Sequence, residues 1–310
     1  MLCIAACRIY GGHPADAMPA AVALELLHSG FLVHDDIEDG STRRRGFPTM
    51  HESLGAARAI NVGDSLSALA LVSLAKGGRR WGGEVAAAVT TEFAHLLQRT
   101  TEGQARELDW IAADRFDLTD ADYLALVRDK TCWYSTSQPL RIGGIIGSQG
   151  RLDVDRLNDF GLYLGAVFQI HDDIENLESG ASYGKDALGD VIEGKRTIPL
   201  LHLLRTAGPA DRARALHMVG PRGVGIPEER AATVRRLMDK YGSIDHARRF
   251  ADALAGLALV EFRMLFPGLP ASEPLEFLFD LVNDLQRGSQ QGSTDQRKNG
   301  TMVQGGRASA

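Results

Sequence analysis

The chain has 310 residues, of which 44% are hydrophobic and 24% charged, and its formal net charge is −6. This composition is that of a soluble globular protein with ample apolar material for a core. The negative balance gives no basis for a nucleic-acid surface, and three cysteines are too few and too irregularly spaced for a disulfide framework.

The sequence contains no recognisable membrane or export signal. No uninterrupted apolar stretch reaches the roughly 18 residues that a spanning helix requires. The first residues also lack the basic-then-apolar order of a signal peptide. We therefore expect a cytoplasmic protein with no transmembrane segment.

Helical periodicity dominates the chain, and strand-like alternation is nearly absent. The pattern predicts helices at about 15–38, 57–76, 83–100, 120–148, 155–178, 195–206, 228–239, 243–265 and 273–286. Turn-forming residues separate them, for example Lys76-Gly77-Gly78. None of the interruptions resembles a domain linker, and the residues from Arg287 onward are polar and rich in glycine. The sequence thus predicts one all-α domain at 1–286 and a disordered tail at 287–310.

The pentapeptide His-Asp-Asp-Ile-Glu occurs twice, at His34–Glu38 and at His171–Glu175. The first copy continues to Asp39 and the second to Asn176. If the first copy is helical, Asp35 and Asp39 lie one turn apart on one face, with about 5–6 Å between their Cβ atoms. Carboxylates without His or Cys partners favour a hard ion such as Mg²⁺, which is usually shared with substrate phosphates. Two such patches facing each other predict a metal-bridged diphosphate site.

A solvated acidic helix face is the simpler interpretation of either copy alone. Both copies, however, end apolar helical stretches, at Leu24–Val33 and at Leu162–Ile170. Such stretches are typically buried, and a buried carboxylate is costly unless it is paired or bound to a metal. The repetition and the apolar flanks therefore favour a binding site.

Cationic residues follow each acidic patch. Arg43–Arg45 come after the first, and the Gly-x-Pro ending at Pro48 predicts that the helix stops there, with the arginines near its end. Lys130 opens a later aromatic stretch, and Lys185 and Lys195 follow the second patch. Taken singly, these residues could be an exposed basic cluster and solvated lysines. Beside acidic metal patches they suit the counter-charge of a diphosphate.

These motifs resemble those of the trans-isoprenyl diphosphate synthases, the polyprenyl synthetase family, and among them the geranylgeranyl and farnesyl diphosphate synthases. The resemblance covers nearly all of residues 1–286. The matching segments are Asp35-Asp36-x-x-Asp39-x-x-x-x-Arg44-Arg45-Gly46, Gly63-Asp64, Gly103-Gln104, Lys130-Thr131, Phe168-Gln169-x-x-Asp172-Asp173 and Gly194-Lys195-x-Thr197. The resemblance implies an all-α helical bundle of the isoprenoid synthase type with a central active-site cavity, and a homodimer.

The resemblance also implies a role for each site residue. Asp35 and Asp39 would bind two Mg²⁺ ions and Asp172 a third, with Asp36 and Asp173 in support. Arg44, Lys130, Lys195 and also Lys185 would neutralise the diphosphate of the allylic substrate, whereas His28 and Arg45 would face isopentenyl diphosphate. Thr131 and Gln169 would flank the reacting carbons. Phe31, four positions before Asp35, would either be ordinary core or close the floor of the cavity, and the latter fits a product of fifteen to twenty carbons.

The sequence departs from the family at its N-terminus. Family members usually carry a Gly-Gly-Lys-Arg-x-Arg-Pro segment that holds isopentenyl diphosphate, whereas this sequence starts at Met1-Leu2-Cys3. Three explanations stay open: a misassigned start codon, a class I terpene synthase that uses an allylic diphosphate alone, and a non-catalytic partner subunit. Because the residues of both acidic motifs are present, we expect a magnesium-dependent trans-prenyltransferase.

Overall fold

Amphipathic periodicity produces helices over most of the chain. The computed structural model describes residues 1–178, 188–268 and 272–286; Lys185 and the tail from Arg287 lie outside this part. In chain order its helices are α1 (Leu2–Ile9), α2 (Pro14–Asp39), α3 (Met50–Leu54), α4 (Ala56–Trp81), α5 (Gly83–Ala112), α6 (Asp120–Val127), a π-helix (Arg128–Ser137), α7 (Gln138–Ser148), a 3₁₀ turn (Val154–Leu157), α8 (Asn158–Glu178), α9 (Gly189–Glu193), α10 (Ile198–Thr206), α11 (Pro209–Met218), α12 (Pro227–Lys240), α13 (Ser243–Leu265) and α14 (273–286).

Buried apolar side chains join these helices in hydrophobic clusters. One cluster joins the π-helix to α8, α10, α12 and α13, and a second joins α1, α2, α4, α5 and α7. A third packs α14 and α13 against α1, α7 and α8. The cysteines Cys3, Cys7 and Cys132 are free and buried, so they serve as core residues, as predicted. The all-α helical bundle is confirmed.

The π-helix lies between α5 and α8, and glycines allow both to approach it closely. A Cβ added at Gly103 of α5 would lie 2.3 Å from the backbone nitrogen of Lys130. A Cβ added at Gly165 of α8 would lie 2.6 Å from Oγ1 of Thr136. A π-helical turn is wider than an α-helical one, and such turns occur mostly at functional sites. The wide helix and its glycine contacts place Lys130 between the two helices.

The predicted turn at Lys76-Gly77-Gly78 is wrong, because α4 continues to Trp81. The indole of Trp81 folds back onto the helix, where a Cβ at Gly77 would lie only 2.3 Å from a ring carbon. The indole nitrogen donates a hydrogen bond to the carbonyl of Asp16 over 2.8 Å. Gly77 therefore makes room for a side chain rather than ending the helix.

The arginines after the first acidic motif do not lie at the end of a helix, so that prediction is also wrong. Helix α2 stops at Asp39, where Gly40 has a left-handed φ of 67°. Two short antiparallel strands follow, β1 (Arg43–Arg44) and β2 (Phe47–Pro48). Their turn residues, Arg45 and Gly46, have φ values of 52° and 82°, as a tight two-residue hairpin requires. The hairpin folds Arg44 back over α2.

Length and mean hydropathy alone would allow two described helices, α2 and α4, to cross a membrane. This is weak evidence for a membrane span, because apolar helices of soluble proteins satisfy the same two criteria. Helix α4 keeps much of its apolar surface exposed, including Ile60, Leu69, Leu71 and Val72.

Candidate active site

The two acidic motifs meet at one cavity of about 120 Å³. Helix α2 contributes the first motif, α8 the second, and the π-helix and the loop before α10 contribute cations between them. Eight of the residues predicted for the site line this cavity: Asp35, Arg44, Lys130, Thr131, Gln169, Asp172, Asp173 and Lys195. The fold thus brings together residues that are far apart in the sequence.

Lys130 joins the first acidic motif to α5. Its Nζ lies 3.1 Å from Oδ1 of Asp35 and also donates a hydrogen bond to Oε2 of Glu107. Burial opposes the charge on Lys130, but both carboxylates outweigh it and raise its pKa above the usual range. Burial likewise opposes ionisation of Asp35, yet Lys130 and Lys195 hold its pKa below the usual range. Both partners are therefore charged at neutral pH.

Lys195 lies among three carboxylates. Its Nζ is 2.8 Å from Oδ2 of Asp39, 2.9 Å from Oε2 of Glu193 and 3.7 Å from Oδ1 of Asp190. Burial nevertheless raises the pKa of Asp39 to about 7, and repulsion from Asp35 and Glu193 adds to the effect of burial. Asp39 is thus a buried carboxyl group whose negative charge is only partly compensated at neutral pH.

Asp36 lies outside the cavity lining and contacts the site through Arg44. Its side chain is 6% exposed, and its Oδ1 lies 2.7 Å from the guanidinium of Arg44. The same guanidinium reaches Oδ2 of Asp35 at 3.5 Å. Asp36 therefore holds Arg44 against the first motif, whereas Arg45 is exposed at the hairpin turn and does not line this cavity.

A chain of hydrogen bonds connects the π-helix to the second motif. The hydroxyl of Thr131 donates to Oε1 of Gln169 over 3.0 Å, and Nε2 of Gln169 donates to Oδ1 of Asp173 over 2.9 Å. The Tyr123 hydroxyl donates to Oδ2 of Asp173 over 2.7 Å. Burial still raises the pKa of Asp173 to about 6, against the effect of these two donors. This chain fixes the side chains of Thr131 and Gln169 at the cavity wall.

The carboxylates of this cavity, together with Asp39, which is buried beside it and does not line it, suit Mg²⁺. They provide hard oxygen donors, and the raised pKa values of Asp39 and Asp173 indicate a site that gains from an added cation. Among the described residues, no group of three or more His, Cys, Asp or Glu side chains is close enough to hold an ion by itself. An ion bound by Asp35, Asp39 or Asp172 would therefore take further ligands from water or from a phosphate, as Mg²⁺ usually does.

A second cavity, of about 310 Å³, adjoins the first. Leu24, His28, Pro139 and Phe168 are among its mostly apolar lining, and Tyr134 lines both cavities. The Tyr134 ring stacks on His28 with 5.1 Å between ring centroids. Burial lowers the pKa of His28, so its imidazole is neutral at neutral pH.

Phe31, the predicted cavity floor, lies beside this aromatic pair. Its ring centroid is 6.0 Å from that of Tyr134, and it packs against the second hydrophobic cluster. Gly30 instead faces α4, where a Cβ would lie 3.0 Å from the carbonyl oxygen of Gly63. Phe31 thus lies beside Tyr134 but lines neither cavity, whereas Gly30 packs against α4.

The cavity lining also contains residues that were not predicted from the sequence, among them Glu107, Tyr123 and Asp190. Glu107 lies one helical turn after Gly103, on the same face of the helix, so the Gly103-Gln104 motif could have indicated it as a site residue. Asp190 precedes the Gly194-Lys195 motif by four residues, so that motif likewise indicated its position. Tyr123 had no such signal, because only tertiary packing brings α6 to α8.

Comparison with known proteins agrees with this geometry. The profile of the polyprenyl synthetase family matches residues 1–236. A short chain isoprenyl diphosphate synthase of Methanothermobacter thermautotrophicus is 31% identical over 274 residues, which cover 88% of this chain and 81% of that protein. A geranylgeranyl diphosphate synthase of Sulfolobus acidocaldarius is 32% identical over 276 residues, covering 87% and 82%.

Solved structures show the same fold. The crystal structure of a polyprenyl synthase from Caulobacter crescentus, complexed with calcium and isoprenyl diphosphate, superposes with a TM-score of 0.80 at 27% identity. The match covers 93% of this chain and 83% of that one. With the family profile, the relatives and the fold in agreement, this chain belongs to the polyprenyl synthetase family and is a prenyltransferase.

Proposed function

We propose that this prenyltransferase condenses an allylic prenyl diphosphate with isopentenyl diphosphate to give a trans-prenyl diphosphate of fifteen to twenty carbons, with Mg²⁺ as cofactor. The observation that carries the proposal is the adjacency of two cavities. One is lined by both acidic motifs and the cations, and the other is mostly apolar and contains His28. Tyr134, which lines both, lies where the two substrates would meet.

The polar cavity suits the diphosphate of the allylic substrate. Arg44, Lys130 and Lys195 provide fixed positive charges, and Mg²⁺, when bound by the aspartates, would add to the neutralisation of the leaving group. The bond between C1 and the diphosphate oxygen breaks, and the electron pair leaves with the diphosphate. Thr131 and Gln169 present oxygen atoms at the wall where positive charge develops on the allyl group.

The second step forms the new carbon–carbon bond. The double bond of isopentenyl diphosphate attacks the allylic carbon, and a proton is then lost from the adduct, which restores a double bond. The departed diphosphate is a suitable acceptor for that proton. His28 is neutral and, with Phe168 and Leu24, lines the cavity assigned to isopentenyl diphosphate. Arg45 is exposed, and its positive charge contributes to lowering the pKa of His28, which places Arg45 near this cavity.

The named relatives support a short product. Members similar to this chain are described as short chain isoprenyl, geranylgeranyl and geranylfarnesyl diphosphate synthases. The position of Phe31 against Tyr134 gives a bulky ring near the cavity wall, which agrees with an early stop to chain growth.

The decisive experiment incubates the purified protein with Mg²⁺ and farnesyl diphosphate, with and without isopentenyl diphosphate, followed by product analysis. We expect a longer prenyl diphosphate only when isopentenyl diphosphate is present. Asp172→Asn should lower the rate by about 100-fold or more, since loss of one charge-stabilising group at such a site commonly costs that much. A chelator should abolish the reaction, and excess Mg²⁺ should restore it.

The other outcomes identify the alternatives. A hydrocarbon or alcohol formed from farnesyl diphosphate alone would show a class I terpene synthase. No turnover with any allylic substrate would favour a non-catalytic subunit. Full activity in Asp172→Asn would refute the assignment of the site.

We further propose that the protein is a homodimer associated through α4. This helix exposes Leu69, Leu71 and Val72 by 50% or more each, and adjacent exposed apolar side chains commonly mark an interface. Leu71→Glu combined with Val72→Glu should convert a dimer to a monomer in light scattering, because burying two carboxylates would oppose association. Ser65→Glu on the same helix is the polar control. A wild type that is monomeric at micromolar concentration would contradict the proposal.

A further inference from the structure

Arg196, the residue after Lys195, is one of the most deeply buried side chains in the described part of the protein, with 2% exposure. Its guanidinium donates hydrogen bonds to three backbone carbonyls. Nε reaches Arg115 O at 2.9 Å, Nη2 reaches Trp110 O at 2.8 Å, and Nη1 contacts Gly194 O. The guanidinium also lies over the ring of Phe116, 4.2 Å from its centroid.

These carbonyls belong to separate segments of the chain. Trp110 is in the last turn of α5, Arg115 is in the loop that follows α5, and Gly194 is in the turn after α9. The last carbonyls of a helix have no N–H partner within that helix, and the helix dipole favours a cation at this end. One side chain therefore ties the turn that carries Lys195 to the end of α5.

The turn is also held from its other side. Gly194 has a φ of 80°, and a Cβ there would lie 2.7 Å from Cα of Gly220. The backbone nitrogen of Lys195 donates to the carbonyl of Asp190 over 2.8 Å. Contacts with Gly220 and Asp190 on one side and with α5, through Arg196, on the other therefore fix the backbone of Lys195. From this backbone the Lys195 side chain reaches Asp39 on α2.

We propose that Arg196 is a positioning residue for Lys195. By fixing the 194–197 turn against α5, it directs the Lys195 ammonium into the cavity and so strengthens the binding of a diphosphate. This rests on the proposed function, in which Lys195 contacts the diphosphate. Arg196 also lines the cavity, but each of its guanidinium nitrogens donates to a backbone carbonyl, so it acts through Lys195.

A double-mutant cycle tests this role, with the affinity for inorganic pyrophosphate in the presence of Mg²⁺ measured by calorimetry. The variants are Arg196→Met, Lys195→Met and the double variant. Arg196→Met should weaken binding about tenfold in the wild-type background and change it by less than about twofold in the Lys195→Met background, because coupled residues are not additive. A merely structural side chain would weaken both backgrounds equally.

Arg222→Met is the matched control. Arg222 donates to the carbonyl of Ala112 over 2.7 Å and pairs with Asp114, at the same end of α5, so its guanidinium hydrogen bonds go to α5 and the loop after it rather than to the 194–197 turn. Its loss should leave pyrophosphate affinity within about twofold of wild type, as expected for an uncoupled surface position. If Arg196→Met fails to fold, as judged by circular dichroism, Arg196→Lys takes its place in the cycle with the same criterion.

The outcomes separate the two proposals. Equal or additive effects in the two backgrounds would overturn the positioning role while leaving the proposed function intact. A wild-type protein that binds no pyrophosphate with Mg²⁺ would count against the proposed function, and the role of Arg196 would fall with it.

Discussion

At the scale of single residues, the cavity is a set of buried charges whose pKa values depart from their ordinary ranges. Asp35 stays ionised because Lys130 and Lys195 outweigh its burial. Asp39 and Asp173 are pushed the other way by burial, and their pKa values rise to about 7 and about 6. Neighbouring carboxylates with opposite shifts are typical of functional sites.

Phe31 provides a prediction about product length. Phe31→Ala should lengthen the product by at least one isoprene unit, because it removes the ring beside Tyr134 and opens space behind the cavity wall. Product lengths are compared by chromatography with authentic standards. Leu26→Ala is the control. Like Phe31, Leu26 lies on α2 and lines neither cavity, but Phe31 is the one of the two with a ring beside Tyr134. An unchanged product distribution in Phe31→Ala would remove Phe31 from this role.

At the scale of elements, the π-helix determines how the side chains of Lys130 and Thr131 are presented to the cavity. Glycines of α5 and α8 contact it on both sides, so its position depends on backbone approaches that no side chain longer than hydrogen permits. The Gly103-Gln104 motif and the Lys130-Thr131 motif are thus parts of one contact.

Gly103→Ala tests this contact. The new Cβ would lie 2.3 Å from the Lys130 nitrogen and 2.6 Å from its Cα, so the π-helix must shift and carry Lys130 away from Asp35. We expect at least a tenfold loss of kcat/KM, about 1.4 kcal/mol in transition-state energy, together with a lower Tm.

Gly256→Ala on α13 is the control, because nothing lies within 4 Å of its Cβ position. Here alanine should stabilise the protein by about 0.5–1 kcal/mol, the usual gain from replacing a mid-helix glycine. An active, stable Gly103→Ala variant would show that the close approach is not required.

Much of the fold could be predicted from periodicity, whereas tertiary contacts explain the failures. The helices carrying the acidic motifs are correct in place and type because their apolar stretches are long. Gly77 was misinterpreted as a turn since nothing local indicates the ring of Trp81 packed on it. The cluster of Asp35, Lys130 and Lys195 could be predicted as a group by resemblance. Its pairings with Glu107 on α5 and Glu193 on α9 depend on how these helices pack, which only the folded chain defines.

At the scale of the whole molecule, the site couples folding to pH. A carboxyl group whose pKa is about 7 when folded and about 3.8 when unfolded holds its proton more tightly in the folded state. Its contribution to stability is therefore present below pH 4 and is lost as the pH rises through 7. Buried histidines such as His28, whose folded pKa is lowered, have the opposite dependence.

Asp39→Asn separates these effects. As the pH rises from about 5 to 8, the Tm of wild type should fall relative to the Tm of Asp39→Asn, because only wild type must ionise the buried group. Tm is measured by calorimetry in metal-free buffer, where contributions of the histidines cancel in the difference. Parallel curves for the two proteins would contradict the raised pKa of Asp39.

The pairing of the lysines in the cavity has a consequence for turnover. Lys130 already contacts Asp35 and Glu107, and Lys195 already contacts Asp39 and Glu193. An arriving anion must exchange places with these carboxylates, so part of its attraction is spent in displacing them. The same carboxylates can pair with the lysines again when the reaction ends. In the proposed reaction these carboxylates would therefore compete with the diphosphate for the lysines, which would weaken the binding of product and speed its release.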